Sequence, residues 1–188
     1  MAGMRMLPAA AIWDVADGTL VTATSAIWEV TCTDLDTGRT RWIARRDMGP
    51  LRLTDADRAA LEAILVASVT RDAGGTEPTS AARAALVAQM TFPQSRPVLA
   101  DVRLAPSGDV WVRNATQVQE MGHEALRVGS ASGYGGTDWD VLDRAGMLEH
   151  SIRMPKHFRV TQFTDGWAYG ILTDSLGVQR PARVATPT

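Results

Sequence analysis

Glycine-bearing turns recur between short alternating runs along most of this 188-residue chain, and that punctuation constrains the fold more than any other feature. Asp17-Gly18 separates IWDV from TLVTAT, and Asp36-Thr37-Gly38 separates IWEVTCTDL from RTRWIA. Ser107-Gly108 lies between VLADVRLA and DVWVRN, Ala145-Gly146 between WDVLD and MLEHSIRM, and Asp165-Gly166 between FRVTQF and WAYGILT. Glycine supplies the positive φ that a tight reversal needs, so each such turn predicts an antiparallel hairpin. Within the runs the period is two. Ile27, Glu29, Thr31 and Thr33 fall on one face of a strand, with Trp28, Val30, Cys32 and Asp34 on the other. APSGDVWV (Ala105 to Val112) reads as a turn feeding a strand that sends Val110 and Val112 to one side and Trp111 to the other.

The period changes after Arg46. Thr54 is placed to cap a helix, acidic residues fill its first turn, and Leu61, Ile64 and Leu65 follow at helical spacing to about Thr70. A breaker-rich link carrying Gly74-Gly75 and Pro78 leads to a second helix from about Ser80 to Met90, capped by Thr79 or Ser80 and stopped by Pro93 and Pro97. Ala115 to Thr137 reads as an irregular, glycine-rich excursion.

With these insertions set aside, the chain repeats. Gly18, Gly108 and Gly166 open successive units and stand 90 and 58 residues apart. Removing the 47 residues from Pro50 to Arg96, and about 21 residues of the glycine-rich excursion, brings the spacings to 43 and 37. A period of roughly 40 residues with four strands is that of a β-propeller blade. The expected fold is therefore mainly β. It is a partial β-propeller of about two and a half to three antiparallel blades with a helical insertion at about 54–90. Blade 1 covers about 10–46, the insertion about 50–96, blade 2 about 97–154 and an incomplete blade 3 about 157–185, all in one domain spanning 1–188.

The segments RPVLADVRLAPSGDVWVRN, WDVLDRAGMLEHSIRMPKHFRV and TDGWAYGILTDSLGVQ carry a resemblance to a family. From about Pro93 to Val184 the chain resembles the C-terminal part of uncharacterised six-bladed, NHL-like propeller proteins of Gemmatimonadota-type bacteria. DGTLVTATSAIWEVTCTDLDTGRTRWIARRD and LTDADRAALEA are similar to the same family, in which a helical insertion between blades recurs. The resemblance runs through general blade motifs and implies no catalytic residues. It also implies a larger ring, since two blades and three strands of a third fall short of six. The expectation is a truncated fragment lacking N-terminal blades, or a chain whose exposed sheet edges are covered by self-association.

Composition narrows the function classes. Apolar residues make up 45% and charged residues 21%, the balance of a globular chain. A net charge of −2 gives no general pull toward nucleic acid, and no run approaches the length of a membrane span. Lys156 is the only lysine, a bias matching a high-GC genome. Arg39, Arg41, Arg45 and Arg46 read as a solvated strand edge. Cys32 stands alone, so neither an intramolecular disulfide nor a cysteine metal site is available. No signal peptide is read in this stretch, and localisation stays open; a secreted or periplasmic parent is compatible with that.

Catalytic signatures fail on inspection. Asp36-Thr37-Gly38 has no second copy to share a proton with and reads as a turn. His123-Glu124 lacks the second histidine of a zinc helix, because position 127 is Arg127. Gly129 to Gly136 lacks phosphate-loop spacing, and Ala131 replaces the serine of a nucleophile elbow. Trp28, Trp111 and Trp139 are expected to pack between blades. The leading expectation is a non-enzymatic scaffold or binding module of unknown ligand, without metal or cofactor. The alternative is an NHL-like hydrolase, lactonase or lyase with an axial metal. Asp101, Asn114 and Asp174, near strand ends, would be its candidate ligands.

Overall fold

The computed structural model describes residues 4–49, 51–121, 135–164 and 166–187. A two-residue strand β1 (Met4–Arg5) precedes β2 (Ala11–Ala16), β3 (Thr19–Thr24), β4 (Glu29–Asp34) and β5 (Thr40–Arg45). Helices α1 (Asp55–Asp72) and α2 (Ser80–Ala88) follow, then a second two-residue strand, β6 (Met90–Thr91). β7 (Leu99–Leu104), β8 (Val110–Ala115), β9 (Gly135–Leu142) and β10 (Leu148–Arg153) come next. β11 (Phe158–Thr164), β12 (Trp167–Thr173) and β13 (Gln179–Ala185) complete the order. The described residues are mainly β. The long strands form three antiparallel sheets, β2 to β5, β7 to β10 and β11 to β13, and in each the neighbours in space are consecutive in sequence.

Turn chemistry sets the hairpins. Asp17 and Gly18 take φ of 45° and 70°, the double positive φ of a type I′ turn, whose twist suits paired strands. The turn closes on the pair Ala16–Thr19, and Thr164–Trp167 closes the corresponding hairpin of the third sheet. In the second sheet Ala105 N–H donates to the Asp109 carbonyl at 3.0 Å around Gly108.

Register then decides which side chains face which neighbour, because side chains alternate along a strand. One step behind the closing pair stand Val15–Leu20, Leu104–Val110 and Phe163–Ala168 in the three sheets. One step further stand Asp14–Val21, Arg103–Trp111 and Gln162–Tyr169. In the second sheet Val110 joins a core shared with the first sheet, while Trp111 joins a core shared with the third. Phe163 and Ala168 face back toward the second sheet, and Val21 faces forward toward it. The same positions therefore face the preceding sheet in one register and the following sheet in the next. β8 is buried on both sides, with Val110, Trp111 and Val112 at 1%, 5% and 0% exposure.

The first core holds Val21, Ala23, Val30, Ala100, Val102, Val112 and Leu142, and α1 adds Leu61 to it. Ile12, Val21 and Ala23 of β2 and β3 share this core with Leu99, Ala100 and Val102 of β7. Trp28 and Trp42 fill space toward β4 and β5. The second core holds Trp111, Trp139, Phe158, Val160 and Phe163, with Trp111 stacked on Phe163 at a centroid distance of 4.1 Å.

α1 begins in a capping box. Asp57 N–H donates to Thr54 Oγ1 at 3.1 Å, and Thr54 N–H donates to Asp57 Oδ2 at 2.8 Å. α2 is capped by Thr79, whose hydroxyl accepts from Ala82 N–H. Gln119 Nε2 donates to Asp57 Oδ1 at 2.9 Å, tying α1 to the short helical turn Val118–Glu120 after β8.

Two local expectations change. The second helix ends at Ala88, and Met90 belongs to β6, which pairs parallel with β1. Two-residue strands have no periodicity to read, so this pair was invisible in the sequence. β9 starts at Gly135, four residues ahead of the expected Trp139, because Gly135 pairs with Ala115 on β8. The remainder of the glycine-rich stretch, 122–134, lies outside the described residues.

Candidate functional site at the junction of the first two sheets

Asp140 occupies β9 between Trp139 and Val141, which face the third sheet, so its side chain points toward the first. Only 3% of the residue is exposed. A carboxylate there needs partners, since an unpaired buried charge is costly. Asn114 Nδ2 donates to Asp140 Oδ2 at 3.0 Å, Ser151 Oγ donates to Oδ1, and Arg46 Nη1 lies 3.1 Å from Oδ2. Asn114 Oδ1 in turn accepts from Trp28 Nε1 at 3.1 Å, and the Arg46 guanidinium lies 4.8 Å from the Trp28 ring centroid. Arg46, Trp28, Asn114 and Asp140 form a closed circuit across the two sheets, with Ser151 attached. Its acceptors already hold donors. The arrangement fastens sheet to sheet.

Further fasteners repeat the theme. Asp14 Oδ2 accepts from Leu104 N–H at 2.9 Å, joining β2 to β7. Trp42 Nε1 donates to the Arg144 carbonyl at 2.9 Å, and its ring lies over Gly146, where an added Cβ would sit 2.7 Å from the indole. Arg144 Nε donates to the Ser107 carbonyl at 2.6 Å. Between these contacts a cleft of about 230 Å³ opens, walled by Cys32, Arg41, Trp42, Ser107 and Arg144 among others. That is small against the roughly 300–1,000 Å³ of typical ligand pockets, whereas a shallower cleft of about 490 Å³ beside Trp28, Arg46 and Gly146 falls within that range. Burial pushes the Cys32 thiol up from its ordinary value, with Arg41 pulling the other way less strongly. The sulfur is therefore not poised as a thiolate.

The three residues singled out for an axial metal are not brought together. Asp101 lies within β7, paired across the ladder with Arg113 and 3.2 Å from Arg103 Nη2. Burial raises its carboxyl above the ordinary value despite that guanidinium. Asn114 belongs to the Asp140 circuit. Asp174 lies in the turn between β12 and β13, where Oδ1 accepts from the amides of Leu176 and Val178 at 3.0 and 2.9 Å. Among the described residues, no group of three His, Cys, Asp or Glu is placed to hold a metal ion, and no helix is long and apolar enough to cross a membrane. No family model matches the chain, and no curated protein matches it.

Other sequence candidates resolve locally. His123, Glu124 and Ala131 lie outside the described residues. Gly135 and Gly136 belong to β9, where the Arg113 guanidinium donates to both carbonyls, at 3.1 and 2.8 Å. A Cβ on Gly135 would fall 2.3 Å from Arg113. Asp36-Thr37-Gly38 forms the β4–β5 turn, with Asp34 Oδ1 accepting from Thr37 N–H at 2.9 Å. Arg41 holds the Asp34 carboxyl down at about 2 through a charge-assisted hydrogen bond, helped by the Thr37 donors. Arg41 and Arg45 are edge residues paired with Asp34 and Glu29, but Arg46 leaves the edge for Asp140. Arg46, Asp140 and Ser151 were missed as a group. The available signal was an aspartate between two apolar residues in a strand, a pattern that demands a partner when both faces are covered.

Proposed function

We infer that this chain is a non-enzymatic scaffold or binding module, built as part of a β-propeller. The supporting observation is the Asp140 circuit: the most buried carboxylate at the sheet junction is fully engaged in holding the sheets together. Two features support the radial arrangement. Sheets approach most closely along β2 and β7, and β11 also nears β7, so the first strands lie toward a common axis. Tryptophans fill the gap farther out, as a widening wedge between blades requires.

Two measurements test this. Distances between paired spin labels should be short between β2 and β11 and long between β5 and β13, since a fan opens outward; equal separations would refute blades. The purified chain should show no turnover on a panel of lactones and esters, with or without added divalent metal. Hydrolysis that disappears in Asp101→Asn would replace this reading with an axial hydrolase.

A further inference from the structure

Each inner junction places a forward-facing residue of one sheet against a backward-facing residue of the next. In the second junction these are Trp111 and Phe163, stacked at 4.1 Å. By hairpin register, the position of Trp111 corresponds to Tyr169 in the third sheet, and that of Phe163 corresponds to Val15 in the first. Both corresponding residues are open: Tyr169 is 37% exposed and Val15 47%, with Trp13 beside Val15 at 63%. On the third sheet's open face Arg183 lies 4.2 Å from the Trp167 ring centroid, as Arg113 lies over Trp139 on the covered face of the second. The two open faces are therefore unlike each other. One is a forward face and the other a backward face, the two halves of a junction the chain already makes twice.

We propose that a second copy of this chain occupies them head to tail, with Tyr169 of one copy against Val15 of the other, so that two copies close a ring of six sheets. Such rings hold roughly four to eight sheets, so three from each copy fall within range. The contact rests on register equivalence and on the exposure of both faces; closure into a ring rests on the radial reading above. A symmetric dimer made this way contains two identical junctions and leaves no open face, so growth stops at two.

Sedimentation of the full chain should give a species of about twice its 20.2 kDa mass. Val15→Arg and Tyr169→Glu should each weaken the dimer at least tenfold while circular dichroism stays native. An equimolar mixture of the two variants should regain a 1:1 dimer through its single intact junction. Carrying Val15→Cys and Tyr169→Cys together, the chain should be captured as a covalent dimer by a thiol cross-linker matched to a sheet spacing of about 10 Å. A wild-type monomer at about 100 μM overturns the proposal and leaves the open faces to further sheets or another protein. A ladder of larger oligomers overturns closure. Loss of the dimer in only one of the two variants overturns the head-to-tail contact, because like faces would then be meeting. Label distances within one chain report separately on the radial reading.

Discussion

Arg46, one residue beyond β5 in the first sheet, sets its guanidinium 3.1 Å from the carboxylate of Asp140 in the second. Asp140 is buried, while the Arg46 side chain is 36% exposed. Removing one partner of a fully buried pair costs about 3–5 kcal/mol, and solvent around Arg46 reduces that. Arg46→Ala should cost about 2 kcal/mol in denaturant unfolding. Arg46→Lys should recover only part of it, because an ammonium loses the planar stack on Trp28. A double-mutant cycle with Asp140→Ala should show coupling; additive losses would mean that the two side chains act independently.

Gly170 pairs with Val160 beside the irregularity in the β11–β12 register. A Cβ there would sit 2.2 Å from the Arg159 carbonyl oxygen, a backbone atom that cannot swing aside. Gly170→Ala should lower stability by about 2 kcal/mol or more, the range of an overpacked core. Gly177→Ala, where a Cβ meets open space but φ is +80°, should cost less, about 1 kcal/mol. Thermal melts of the two variants rank them; the reverse order would contradict the close approach.

The cap of α1 gives a pH-dependent prediction. Burial pushes the Asp57 carboxyl up, but donors from Thr54 and Gln119 outweigh it and hold it below its ordinary value. A depressed carboxyl stabilises the fold above its unfolded pKa of about 3.9, and that contribution is lost as pH falls through the lower folded value. Thr54→Ala should cost about 1 kcal/mol at neutral pH, and less in acid as Asp57 protonates. A loss independent of pH would show that the cap acts without the carboxylate.

Asp101 has the opposite sign. Its carboxyl is raised by burial, so the ionised form disfavours the folded state, and stability grows as pH falls through the folded pKa toward the unfolded one. Asp101→Asn should therefore be neutral to stabilising at pH 7, and its advantage should vanish below about pH 4. A large loss at neutral pH would mean that the Arg103 pair outweighs desolvation.

Hairpins were legible because their chemistry is local. Asp17-Gly18 can take positive φ whatever surrounds it, and the alternation of Trp28, Val30 and Cys32 fits any sheet buried on that side. Val110, Trp111 and Val112 showed which residues part to opposite faces. The capping of α1 by Thr54 was equally local. β1 and β6 are not legible in the sequence because two residues carry no period and their pairing joins Met4 to Met90. Nearness to strand ends groups Asp101, Asn114 and Asp174 in the sequence, and says nothing about the face each side chain takes. In the sequence Arg46 reads as one more edge cation; only the packing of the second sheet on the first brings Asp140 to it.

By itself, then, the sequence determined the strands, their turns and the side chains that alternate along them, since these depend on neighbours a few residues away. Only the tertiary structure decided that both faces of β8 are covered, that Asp140 is met by Arg46 and Asn114, and that Tyr169 and Val15 stay open. Those outcomes depend on which sheet lies above which, and packing between residues as far apart as Trp28 and Asn114 leaves no trace in local spacing.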